Sequence, residues 1–217
     1  MLTVSSKPKA PLVDAGLHEA VCYSVVDIGT HSSRYQGKII RNRQIVLTWE
    51  IPGQRIQVED RNTGVTKDLP RAISRTYTAS LDPKATLRAH LVSWRSRGFT
   101  PEEEKAFEMK NVLGASCFLS IIHKPKQDGT EKAEVNMVLN LKGKRLKPQN
   151  PLVYYGIEEN DEDIPASLPD WIVEQIKSSE EWQAMFTGTG EPPADETSPN
   201  DDGMGPEPTP EDADLPF

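Results

Sequence analysis

The chain ends Glu211-Asp212-Ala213-Asp214-Leu215-Pro216-Phe217, with acids ahead of a Leu-Pro-Phe terminus. A terminal Phe has a clear chemical use: its ring fills an apolar pocket while its own carboxylate meets a basic group. The acids before it pair with a basic rim and speed encounter. Asp212, Asp214, Leu215, Pro216 and Phe217 therefore form a candidate recruiting tip for another protein. The alternative is a solubilising tail that happens to end in Phe. It leaves unexplained why an otherwise apolar-poor tail keeps Leu and Phe for its last three residues.

A second constellation mixes cations with aromatics: Arg34, Tyr35, Lys38, Arg41, Arg43 and Trp49, then Arg75 and Tyr77. Lys124, Lys126 and Lys142 follow, with Lys144 and Arg145 beside the last. Positive charge suits phosphates, and exposed rings take stacked bases at about 1–3 kcal/mol each. This is the chemistry of single-stranded nucleic-acid binding. Competing roles exist for several of these residues. Trp49 alternates with Ile45, Leu47 and Ile51, so it reads either as core or as a stacking platform. Tyr77 is open in the same way, because Arg75 on its face argues against full burial. Trp94, at helical spacing from Leu87 and Leu91, reads as core. Arg95 and Arg97 read as solvated, and of Tyr154 and Tyr155 one packs while the other is exposed.

Catalytic chemistry finds little support. His18, His31, His90 and His123 have no metal-motif spacing with one another or with Cys22 and Cys117. Glu102, Glu103 and Glu104 suit a helix's first turn, where acids favour the dipole. No phosphate loop, nucleophile elbow or HExxH occurs. The expectation is a non-enzyme with no cofactor and no metal.

The charge distribution sets the scale for these sites. Residues 1–150 hold 24 Lys+Arg against 15 Asp+Glu, whereas residues 151–217 hold one Lys against 18 acids. The formal net charge of −8 thus conceals a basic body and an acidic end, the pattern of a polyanion-binding module with an interaction tail. No apolar run is long enough to span a membrane. Met1 to Asp14 lacks the apolar stretch of a secretory signal, so a cytoplasmic setting is expected, with both cysteines reduced in the core.

The elements that must position these residues follow from periodicity. Residues 1–14 read as a flexible arm. Strands are expected at His18–Ile28, Lys38–Ile51 and Ala72–Ser80, separated by loops at 29–37 and 52–70. Asp82-Pro83 reads as a helix start and Gly98 as its stop. Thr100, Pro101 and Glu103 resemble a capping box. Strands at Ser116–Lys124 and Lys132–Lys142 flank an Asp-Gly hairpin turn. The order of three strands, helix and two strands is that of the five-stranded OB-fold barrel, expected here over residues 15–147. Residues 148–186 read as a helical appendage docked on the barrel. Residues 187–217, with nine acids, seven prolines and no Lys or Arg, read as a disordered tail.

The tip resembles that of bacterial single-stranded DNA-binding proteins, with Leu215 where those carry Ile. The body, through VCYSVVDIGTH, ISRTYTASL, LVSWRSRGFTPEEEKAF, NVLGASC and NPLVYYGI, resembles a bacteriophage family of single-stranded DNA-binding and replication-associated proteins. That resemblance covers most of residues 16–185. It implies an OB-fold that coats single strands without strong sequence preference, in the cytoplasm of an infected bacterial host. It implies replication or recombination proteins as partners of the tip. A homo-oligomer is compatible with it. A strand-annealing recombination protein and a protein adaptor that does not bind DNA remain the alternatives.

Overall fold

The computed structural model describes residues 11–35, 37–59, 64–160 and 163–187. The first ten residues of the expected arm, and residues 188–217 of the expected tail with its tip, lie outside the described residues.

β1 (Gly16–Tyr35) organises everything else. One edge pairs antiparallel with β2 (Lys38–Glu59). The other edge pairs first with β4 (Ser116–Pro125), through Gly16–Val21, and then with β6 (Val153–Tyr155), through Ser24–Val26. β3 (Thr66–Thr78) lies outside β2, and β5 (Glu131–Asn140) outside β4. The result is a mainly β protein built on an open six-stranded sheet of order β3-β2-β1-β4-β5, with β6 the single parallel partner.

Both faces of the β1–β2 ribbon are buried, so its apolar residues do not simply alternate with polar ones. The inner face puts Ala20, Cys22 and Val25 with Ile45, Leu47, Trp49 and Ile51 in a core that α1 (Thr86–Arg95) caps with Leu87, Leu91 and Trp94. A bulge between Cys22 and Ser24 resets the alternation. Val26, Ile28 and Val46 face outward instead, into a second core. There they meet Tyr155, Ile157 of α3 (Ile157–Asn160), and Ile172 and Ile176 of α4 (Asp170–Ser178). α5 (Glu180–Thr187) adds Trp182 to this layer. The chain returns to it past Glu50, which is fully buried and accepts from Gln149 N, Asn150 N and Asn150 Nδ2 at 2.6–2.9 Å. Three such donors are what a buried carboxylate needs in place of water.

The described residues show an open sheet and do not close it into the expected five-stranded barrel. No ladder joins β3 to β5 among the described residues; side chains bridge that seam. The Arg75 guanidinium donates to the Val135 carbonyl and sits 3.7 Å from Glu134. Tyr77 Oη and His90 Nδ1 are 2.9 Å apart, and His90 Nε2 reaches the Asn136 carbonyl at 3.0 Å. Because that carbonyl can only accept, Nε2 carries the proton and Nδ1 accepts from Tyr77.

Three local expectations are corrected. Residues 29–35 continue β1, and 55–59 pair with 66–70 as a ribbon rather than a loop. Pro52 and Gly53 fall in a bulge between Ile51 and Arg55, where a missing N–H breaks no ladder bond. α1 starts at Thr86, because Asp82 turns back to bond Ser80, and it stops at Ser96 in a left-handed conformation, before Gly98. The capping box forms, with Thr100 and Glu103 exchanging bonds at the start of α2 (Pro101–Lys105). Arg95 and Arg97 both bind Glu103, and Arg95 lies over the rings of Phe99 and Phe107.

Cys22 and Cys117 are free, buried thiols on neighbouring strands. Burial pushes Cys22 up to about 12 and Cys117 well above its ordinary value. A raised folded-state value means the thiol form stabilises the fold below pH 9, and that contribution fades as pH climbs towards 12. A thiol-reactive chromogen at pH 8 is therefore expected to find no reactive cysteine in the native protein and two in denaturant. Rapid labelling of the folded chain would contradict the packing described.

Candidate nucleic-acid interface

Beyond the body, β1 and β2 run on together as a two-stranded arm. Thr30 stands opposite Arg43, Ser32 opposite Arg41, Arg34 opposite Ile39 and Tyr35 opposite Lys38. Gly37 closes its turn at a φ of 82°, a conformation glycine adopts without strain. The arm thereby gathers four of the predicted cations. Arg34 and Lys38 are exposed near its tip; the ring of Tyr35 lies outside what is described. Arg41 is half exposed and binds Glu180 of α5. Arg43, at the base, binds Asp27 at 2.5 Å and Glu158 at 2.8 Å.

α5 holds the arm by its carboxylates. Glu181 accepts from both the N–H and the hydroxyl of Thr30 at 2.6 Å, and Glu180 accepts from the Ser32 hydroxyl at 2.7 Å. The approach is close enough that a Cβ on Gly29 would lie 2.5 Å from the Ser179 side chain. The hydrogen bond and charge of Arg41 hold Glu180 below the usual carboxylate range, against a smaller opposing effect of burial. Glu181 also lies below it: burial works in the opposite direction, and the bonds from Thr30 outweigh it. The hydrogen bond to Asp27, then Glu158, raises Arg43 further above its ordinary value despite partial burial.

The other predicted residues are placed elsewhere. Trp49 is 0% exposed, 6.1 Å from Trp94 centre to centre, and Tyr77 is 3% exposed beneath α1. Both are core residues, out of reach of a ligand. Arg75 serves the β3–β5 seam. Lys124 binds Glu134 at 3.0 Å, and Lys126 is exposed in the β4–β5 turn. Lys142 is exposed just past β5. The registers put the β4–β5 turn, with Lys124 and Lys126, beyond the start of β1 and the arm at its end, whereas Lys142 follows the opposite end of β5 from that turn.

At the base of the arm opens a cleft of about 500 Å³, lined by Asp27, Arg43, Phe107, Lys110, Tyr154 and Glu158 among others. The Tyr154 hydroxyl donates to Glu159 at 3.0 Å, and Lys110 lies 5.3 Å from its ring. Asp27, Glu108, Glu158 and Glu159 outnumber the two cations there, which suits a phosphate poorly. Sequence reading missed this cleft because its walls come from four separate segments. Among the described residues no three His, Cys, Asp or Glu side chains gather as a metal site requires. No described helix is long and apolar enough to cross a membrane.

No protein-family model matches the chain, and no curated protein sequence matches it.

The burial of Tyr77 makes a direct prediction. Tyr77→Phe removes the donor to His90 and leaves a buried acceptor unpaired, a cost of roughly 1–3 kcal/mol. Chemical denaturation is expected to show that loss, while any nucleic-acid affinity stays unchanged. A stable variant with weakened binding would put the ring back at a surface.

Proposed function

We propose that this chain is a single-stranded DNA-binding protein of the OB-fold class, acting in phage DNA replication or recombination. The observation that carries the reading is the exposed β1–β2 arm, with Arg34, Lys38 and Arg41 on a body whose first 150 residues are strongly basic. The sheet order supports it. Strands in the order β3-β2-β1-β4-β5, with α1 between β3 and β4, run in the sequence of the five-stranded Greek-key barrel. Here side chains of Arg75 and His90 stand in for the last ladder. The resemblance of the body to phage single-strand binders and of the tip to bacterial ones points the same way. The acidic tip, Asp212 to Phe217, recruits replication partners.

On this reading the arm cations neutralise phosphates and release counterions, so affinity falls with salt at about 0.7 log units per phosphate contact and log unit of salt. Fluorescence anisotropy with an oligo-dT of roughly 30 nucleotides, a length spanning more than one OB-fold site, tests it, with duplex and RNA of equal length as controls. Tight, salt-dependent binding that favours the single strand is expected. Absence of binding would overturn the reading and favour a protein adaptor. Rapid pairing of complementary strands by large assemblies would favour an annealing protein. Arg34→Ala with Lys38→Ala is expected to flatten the salt slope by about 1.4, two contacts' worth. Glu180→Gln, which releases Arg41, is expected to tighten binding at low salt by a few-fold, on the order of one exposed ion pair.

A further inference from the structure

The outward face of β1, β4 and β5 carries a strip of apolar side chains that belongs to neither core. Leu17 stands opposite Ser120, and Ser120 opposite Met137; Glu19 stands opposite Phe118, and Phe118 opposite Leu139. Their inward neighbours Cys117, Leu119, Ile121 and Val138 fill the core beneath. Leu17 is 57% and Met137 43% exposed, Phe118 and Leu139 are partly exposed, and none of the four joins a hydrophobic cluster. On the neighbouring ribbon the same outward face is covered by α3, α4 and α5. Over β4 and β5 no described element lies on it.

Charge surrounds this strip. At one end Lys124 and Lys132 face each other across β4 and β5, sharing Glu134 at 3.0 and 3.3 Å. At the other, the segment after β5 brings Lys142, Lys144 and Arg145, and Lys144 binds Glu19 at 2.5 Å. Cations therefore outnumber carboxylates at both ends. A second copy of this chain is a poor occupant, because turning it either way along the strands sets lysines against lysines. A duplex is poor too, since its base faces are already stacked and hidden. What fits is a ligand with flat apolar faces and a negative backbone.

We propose that the outward face of β1, β4 and β5 is a base-stacking platform for single-stranded nucleic acid, with the Phe118 ring as its main contact and the flanking lysines meeting phosphates. This rests on the reading of the chain as a single-strand binder and adds a second surface to the arm. It supplies the stacking ring that Trp49 and Tyr77, both buried, do not. Each base stacked on an aromatic contributes enough that removing the ring weakens binding roughly five- to a hundred-fold.

The test uses the full chain and bromodeoxyuridine-substituted oligo-dT. Ultraviolet crosslinking followed by peptide mapping is expected to mark Phe118 or its neighbours on β4. Phe118→Ala is expected to weaken binding by the factor above with an unchanged melting curve, and Phe118→Trp to restore it. Crosslinks confined to the arm would overturn the platform, as would a folded Phe118→Ala that binds like the parent while the Arg34 and Lys38 variants do not. So would a Phe118→Ala that changes only the sedimentation mass, since that marks a seat for a second copy. Should the alanine variant fail to fold, the crosslink map on the parent decides. A parent that binds no single strand overturns the platform and the proposed function together.

Discussion

The structure depends on the double duty of β1. β1 gives one edge to β2 from Val21 to Tyr35 and divides the other between β4, through Gly16–Val21, and β6, through Ser24–Val26. It also has a partner layer on each side. That arrangement requires apolar residues on both faces, which β1 supplies as Val25 inward and Val26 and Ile28 outward. The appendage of β6, α4 and α5 is thus part of the fold, because without it Val26, Ile28 and Val46 would face water. Burying such aliphatic side chains contributes about 1.5–3 kcal/mol each, far more than any exposed ion pair holding α5 to the arm.

Much of this was legible in the sequence where apolar periodicity operates. The alternation of Ile45, Leu47, Trp49 and Ile51 marked one face of a strand, and that face is the inner one. The spacing of Leu87, Leu91 and Trp94 marked the side of α1 that caps the core. The arm and the β2–β3 ribbon were illegible for the same reason. Two-stranded ribbons standing in solvent have no core side, so their polar residues and glycines read as loops. Backbone pairing alone makes them strands.

The site residues divide along similar lines. Arg75 beside Tyr77 argued for exposure, yet an arginine stem can lie in a core while its head reaches an edge. There the guanidinium finds Val135 O and Glu134, and Tyr77 stays inside. Phe118 was not among the candidates. Cys117, Phe118, Leu119, Ile121 and Ile122 form a nearly continuous apolar run, which reads as a strand buried on both faces. Only the three-dimensional arrangement reveals that nothing described covers the outer one. Sequence pattern registers how apolar a face is, and not whether another element arrives to cover it.

The arm's cations are not equally available to a polyanion, and burial orders them. Arg34 and Lys38 are exposed. Arg41 is held by Glu180 in a pair with 52% and 32% of the two side chains exposed, and solvent screens such exposed pairs strongly. Arg43 differs: its Asp27 partner is only 13% exposed and would be left buried and uncompensated if the arginine turned away. Arg43 is therefore the fixed anchor of the arm, Arg41 sits in a more exposed pair, and Arg34 and Lys38 are exposed. The helical layer does not depend on the Arg41–Glu180 pair for its seat, because Ile172 and Ile176 of α4 are buried against the sheet.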